Sequence, residues 1–271
     1  LPDNLIIAGD ESQIEARLNA CFCGQTDLVE EFRAGGDPYA TQASLVYGYP
    51  VTKALKTERF VGKQLILMCG YGVGWRKYQG SIKHVSAEQT GTPIILSDQE
   101  AQRHVYGYRG SKPEIVKMWS YLNNVVIPAM TNPATNFMVG PVQILFEEIR
   151  LPNDLSLFYR NLHRSVKGDW WFTYGNRMKK IYGGKLLENI IQALARIVVM
   201  DVALDIRPAI KCLGGRLAMQ VHDELVYVAP AAVAPMVKQI METAMRIPPK
   251  WMPTVPLNCE VGIDVCYGKA H

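Results

Sequence analysis

Two short apolar runs, one near each end of the chain, lead directly into carboxylates, and this restricts the fold more than any other feature. Asn4 to Gly9 reads as a buried strand and meets Asp10. Arg216 to Val221 and Leu225 to Val228 read as two further strands around His222, Asp223 and Glu224. A sheet can present acids at its strand ends without burying an unpaired charge. Two carboxylates brought together repel unless a cation lies between them, and hard oxygen ligands of that kind suit Mg2+. Taken singly, each acid also reads as a turn cap, and His222-Asp223-Glu224 alone does not separate the two readings.

Between these ends the character changes. Helical spacing begins at Glu11 to Phe22, returns at Leu28 to Phe32 and Tyr39 to Val46, and fills most of Lys53 to Met130. Asp37 and Pro38 supply an N-cap and a first-turn proline. Thr52 is expected to open a helix that runs to about Gly70. Val142 to Arg150 and Leu155 to Arg160 flank Leu-Pro-Asn-Asp, a hairpin signal, and Leu186 to Leu204 reads as a strong amphipathic helix. Ala231 to Met245 is expected to be helical and Val255 to Val265 a strand. The pattern is α+β, with sheet-forming portions at both ends and a helical insertion between them.

Composition sets bounds on function. Apolar residues make up 48% of the 271, enough for a real core. A net charge of +4 is compatible with a nucleic-acid partner without demanding one. Of six cysteines only Cys21 and Cys23 are close, and C-x-C lacks the second pair that a zinc site needs. Their scatter suggests a reducing, cytoplasmic compartment. The run Ile190 to Ile206 is broken by Arg196, Asp201 and Asp205, so no membrane span is expected.

Arg59, Lys63, Leu67 and Tyr71 are spaced four apart. Each step of four advances ~40° around a helix, so they form a slowly winding stripe. Two cations, an apolar residue and an aromatic suit a ligand with a phosphate end and a flat base. They equally suit a solvated face running into a core.

Three strings then resemble the polymerase motifs of A-family (DNA polymerase I-like) DNA polymerases, phage-type members in particular. Asp10-Glu11-Ser12-Gln13-Ile14-Glu15-Ala16-Arg17 is similar to the first, D-x-S-Q-I-E-x-R. Arg59, Lys63, Leu67, Tyr71 and Gly72 are similar to the second. Met219 to Val226, with His222-Asp223-Glu224 at its centre, is similar to the third. The resemblance implies a right-hand polymerase palm, an antiparallel sheet with helices, at residues 1–35 and 141–271. A helical fingers insertion would occupy 36–140.

By the same resemblance Asp10 and Asp223 would hold two Mg2+ ions, and Glu224 would be an auxiliary carboxylate. Arg59 and Lys63 would grip the triphosphate of a dNTP, with Lys63 the general acid for the departing pyrophosphate. Gln13, Leu67 and Tyr71 would belong to the nucleotide site, and Glu15 would exclude a ribose 2′-hydroxyl. Gly72, His222, Lys185, Asn189 and Gln192 would meet primer-template DNA.

Leu67 and Glu11 depart from the family, where aromatics are usual. Gly183-Gly184-Lys185 is not a phosphate loop, since no Ser or Thr follows. The family places a thumb before the first motif, which here begins within ten residues of Leu1, and no exonuclease carboxylates precede it. The expectation is therefore one part of a split or cleaved polymerase, lacking thumb and exonuclease and working with a second polypeptide, in a phage-infected bacterial cell. The rival reading is a non-catalytic nucleic-acid-binding or assembly subunit that keeps the fold.

Overall fold

The computed structural model describes residues 3–270; Leu1, the first residue that entered the expectation of a split chain, lies outside them. In chain order, strand β1 (Asn4–Glu11) leads into helices α1 (Ile14–Cys23), α2 (Thr26–Arg33), α3 (Pro38–Tyr47) and α4 (Lys56–Gln64). A π-helical turn, Leu65–Cys69, continues α4. Helices α5 (Trp75–Thr90), α6 (Asp98–Ser111) and α7 (Pro113–Tyr121) follow, then a second π-helical turn, Leu122–Val126, and the short α8 (Ile127–Ala129). Short strands come next: β2 (Asn136–Val139), β3 (Val142–Leu145), β4 (Glu148–Arg150), β5 (Ser156–Phe158), β6 (Arg160–Arg164), β7 (Trp170–Tyr174) and β8 (Arg177–Ile181). The chain closes with α9 (Gly183–Cys212), β9 (Arg216–Val221), β10 (Glu224–Pro230), α10 (Ala234–Ala244) and β11 (Cys259–Asp264).

The fold is α+β, with antiparallel sheets, and it divides into two compact units. The first comprises Leu1–Leu18 and Ile191–His271, the second Asn19–Ile190. In the first, a four-stranded sheet has the order β11-β1-β10-β9, every pair antiparallel. Its core includes Ile7, Leu225, Tyr227 and Met241, all 1% exposed or less. Gly9 leaves the close space that Met241 of α10 and Met245, the residue after that helix, fill: a Cβ there would stand 2.8 Å from the Met241 methyl carbon. The Tyr227 hydroxyl donates to the Ala203 carbonyl of α9 at 3.3 Å.

The second unit packs its helices around Leu65, Tyr78, Ile82, Tyr108 and Ile115. Local signals act as expected at several ends. The Asp37 side chain accepts from the Ala40 amide at 3.3 Å and caps α3, and Gly48 ends that helix in the left-handed region. Leu151 to Leu155 turn β4 into β5, with the Leu151 amide on the Leu155 carbonyl at 2.7 Å.

Two expectations are corrected. The helix expected from Thr52 starts at Lys56, because Thr52 to Leu55 is spent in a turn closed by Leu55 N–H to the Thr52 carbonyl. The run Val142–Arg150 is not one strand: Phe146 and Glu147 break it, with Glu147 at φ +50°. Strands β2, β6, β7 and β8 carry no strong turn-bounded alternation and were not anticipated.

Candidate active site

In the first unit, antiparallel pairing sets Asp10 opposite Glu224. The β9–β10 hairpin closes on His222 and Asp223, with Val221 opposite Glu224. His222 stands at φ +51°, a left-handed conformation that histidine adopts more readily than most side chains. The Glu11 amide donates to the Asp223 carbonyl at 3.2 Å, so the strand end bearing one acid is tied to the turn bearing the other. Gln220 Nε2 donates to the His222 carbonyl, and Arg196 of α9 donates to Gln220 Oε1. The turn is thereby anchored to a helix as well as to its sheet.

Glu15, Gln192, Arg196, His222 and Asp223 line one open cavity of about 460 Å3, with Ile14, Ala195 and Val199 as its apolar floor. Glu15 arrives there in the first turn of α1. The preceding turn bends sharply at Gln13, φ +58°, and Arg17 clamps it. The Arg17 guanidinium is nearly buried and donates to the Ser12 carbonyl at 2.7 Å, the Pro256 carbonyl at 2.6 Å and Gln13 Oε1 at 3.2 Å. Gln13, expected at the nucleotide, accepts from Arg17 here.

Glu11, a departure from the first motif, is enclosed at the end of β1. It is 1% exposed, and neither carboxylate oxygen has a hydrogen-bond partner among the described residues. Burial, then the charge of Asp10, with a further contribution from Asp223, pushes its carboxyl up to about 8, against the lowering effect of Arg17. The same two aspartates thus create a negative field around the strand end. Glu224 is buried, and Oε2 accepts from the Tyr267 hydroxyl at 2.5 Å.

Asp10 and Asp223 present hard carboxylate oxygens. Among the described residues no group of three or more His, Cys, Asp or Glu is placed to hold a metal ion. A cation here would complete its shell from substrate phosphates and water. That is the habit of Mg2+, which takes one or two carboxylates and keeps several waters, so the donors fit it.

The second unit holds the remaining expected residues. Arg59 Nε pairs with Asp37 Oδ2 at 2.5 Å, and its guanidinium lies 5.3 Å from the Tyr39 ring centre. Arg59, Lys63 and Leu67 are partly exposed, whereas Tyr71 is buried. The π-helical turn Leu65–Cys69 falls inside the stripe. A wider turn advances less than a full rotation in four residues, so the steps no longer repeat and Tyr71 leaves the exposed side. Gly72 stands at φ +78°. A Cβ on Gly184 would lie 2.2 Å from the Tyr71 carbonyl oxygen, and one on Gly183 would lie 1.9 Å from that of Trp119. The Gly183-Gly184 pair is a close-packing device rather than a phosphate loop. Lys185 pairs with Glu188 at 2.9 Å, and Asn189 donates to the Tyr159 hydroxyl at 3.1 Å.

Arg196, Gln220 and Tyr267 were not among the expected site residues. Gln220 lies inside the third motif and could have been weighed with it. Nothing in the local sequence marks Tyr267.

The fold resembles that of a solved polymerase domain. It aligns over 98% of the chain with 40% of a solved structure, the POL domain of Pol1 from M. smegmatis in complex with DNA primer-template and dNTP, at a TM-score of 0.62 and 19% identity. Sequence relatives narrow the class. A DNA polymerase of Bacillus phage SP02 is 27% identical over 98% of the chain, and the thermostable DNA polymerase I of Thermus aquaticus is 25% identical over 96%. The chain is thus similar to DNA polymerases, and it spans 41% and 26% of these two relatives. No family model matches it. Among the described residues no helix is long and apolar enough to cross a membrane.

Proposed function

We propose that this chain carries the nucleotidyl-transfer site of a template-directed DNA polymerase, extending a primer 3′-hydroxyl with deoxynucleotides and releasing pyrophosphate. The observation that carries this reading is the cavity where Asp223, His222, Glu15 and Gln192 converge, next to the strand end bearing Asp10. In this reading residues 1–35 and 141–271 are palm and 36–140 are fingers.

Asp10 and Asp223 would hold two Mg2+ ions, which would supply Lewis-acid stabilisation of charge at the primer hydroxyl and the pyrophosphate. Glu15 narrows the cavity against a 2′-hydroxyl and so selects deoxyribose. His222, fixed by its turn, supports the primer terminus. Gln192 on α9 offers an amide that follows duplex shape rather than sequence. Arg59 and Lys63 are assigned to the triphosphate on the spacing of the second motif, and Lys63 can deliver a proton as charge builds on the leaving group. Leu67, Tyr71 and Gly72 are assigned to the base and template on the same ground, and Lys185 and Asn189 to the template strand on the resemblance of α9 to the long palm helix of phage-type polymerases. The remaining grip on duplex DNA comes from a thumb-bearing segment or polypeptide outside this sequence, in a reducing cytoplasm.

The test is primer extension with Mg2+ and dNTPs, any thumb-bearing partner being supplied. Asp10→Ala and Asp223→Ala should each lower the rate on the order of a thousandfold or more, the loss of several kcal/mol of transition-state charge stabilisation. Extension that survives both substitutions would sink the mechanism and favour a non-catalytic binding subunit.

A further inference from the structure

The positive charge of the chain is concentrated in one short region. Residues 160–180 hold six cations (Arg160, Arg164, Lys167, Arg177, Lys179 and Lys180) against one acid, Asp169. That surplus of five exceeds the surplus of four over the whole chain. The region is the antiparallel meander β6-β7-β8.

Its two faces differ. Residues directly opposite each other in an antiparallel pair point to the same side. On one side Phe172 and Ile181 are buried, with Arg164, Arg177 and Lys179 exposed along the same side, and the Phe172 ring packs on Tyr159 with centroids 5.0 Å apart. On the other side the register sets His163 and Lys180 on either flank of Trp171, and Arg160 and Met178 on either flank of Thr173. His163, Lys180, Arg160 and Met178 are exposed, and Trp171 and Thr173 are half-buried. The face is also held in shape. The Asn161 carbonyl meets His163 Nδ1 at 2.8 Å, and Asn161 Nδ2 donates to Thr173 Oγ1 at 3.2 Å. The Arg160 guanidinium lies 4.4 Å from the Phe158 ring centre.

An indole and an imidazole set among cations on an open sheet face have a defined chemical complement. Flat bases with accessible faces stack on the rings, while a phosphate backbone meets the cations. A duplex keeps its base faces stacked internally and could use only the cations. We propose that the open face of β6-β7-β8 binds single-stranded DNA, stacking bases on Trp171 and His163 and contacting phosphates through Arg160 and Lys180. The Lys180–Asp169 pair, 2.7 Å apart and exposed on both sides, is weak enough to be exchanged for a phosphate. The choice of DNA over RNA rests on the polymerase reading above; the charge and ring arrangement do not.

The experiment is fluorescence anisotropy of a labelled oligo(dT) with the full chain across a salt series. Trp171→Ala should weaken binding about fivefold or more, and His163→Ala should weaken it in the same direction, while Trp171→Phe keeps most of the affinity. The double variant R160E/K180E should flatten the log–log salt slope by roughly 1.4, the share of two single-strand phosphate contacts. If Trp171→Ala and R160E/K180E both bind oligo(dT) like the parent, the proposal is overturned. It is also overturned if poly-glutamate competes as well as oligo(dT), or if oligo(rU) binds more tightly. His163→Ala keeps the test decisive should Trp171→Ala fail to fold. Lost oligo(dT) binding in the variants, without primer extension by the parent when any thumb-bearing partner is supplied, would retain this site and remove the polymerase reading. Extension that depends on Asp10, with unchanged oligo(dT) binding in the variants, would do the reverse.

Discussion

His104 makes the stability of the helical unit depend on pH, and the size of the effect follows from its surroundings. It is 1% exposed on α6, between Tyr47 of α3 and Tyr78 of α5, with ring centroids 5.6 and 6.1 Å away. Nδ1 meets the Tyr78 hydroxyl at 3.3 Å, and Nε2 has no hydrogen-bond partner among the described residues. Burial first, and Arg103 second, lower its pKa from 6.5 to about 4, against a small opposing effect of Glu100. A histidine depressed in the folded state favours folding above its unfolded pKa and loses that contribution as pH falls toward the folded value. Between pH 7.5 and pH 5 the two values imply a loss of about 2 kcal/mol, and solvent screening brings this to about 1–2 kcal/mol. His104→Gln keeps a polar group for Tyr78 and removes the titration. Urea unfolding of both proteins at the two pH values, followed by tryptophan fluorescence, measures the difference. At a urea dependence of about 2 kcal/mol per molar, the parent midpoint should fall roughly 0.5–1 M further than that of the variant. Equal falls would refute the reasoning, since every other titrating group is common to both proteins.

Three further outcomes are expected. Gly184→Ala should cost about 1–3 kcal/mol or more in stability, because its Cβ would stand 2.2 Å from the Tyr71 carbonyl, a backbone atom that cannot swing aside; thermal melting reads this directly. Arg17→Lys keeps the charge but cannot reach the Ser12 and Pro256 carbonyls and Gln13 together. A loss of about 1–3 kcal/mol is expected from the groups left unsatisfied, and an unchanged unfolding midpoint would count against the clamp. Glu15→Ala should raise incorporation of ribonucleotides relative to deoxynucleotides by about tenfold or more, since a steric and polar barrier at the sugar is removed; competitive single-nucleotide extension gives the ratio.

The parts legible in the sequence were those governed by local chemistry. Asp37-Pro38 starts a helix whatever lies around it, and its side chain closes on the Ala40 amide as that rule requires. The apolar runs Asn4 to Gly9 and Leu225 to Val228 become neighbouring, largely buried strands, and their pairing brings Asp10 and the turn bearing Asp223 to one sheet end. The motif resemblance supplied the order of the site residues and the family to which the relatives belong.

The tertiary structure decided what depends on contacts between distant residues. Arg17 became a clamp only when Pro256, 239 positions away, came within 2.6 Å, and no window of sequence contains that pair. Glu224 met Tyr267, and Arg59 met Asp37, by the same kind of long return. The π-helical turn in the Arg59-to-Tyr71 stripe is likewise set by packing, since nothing in Leu65 to Cys69 distinguishes it from an ordinary apolar helix. Asp10 and Asp223 could be named from the chain. The burial of Glu11 beside Asp10, and the open face of β6-β7-β8, exist only because burial and strand register are properties of the folded molecule.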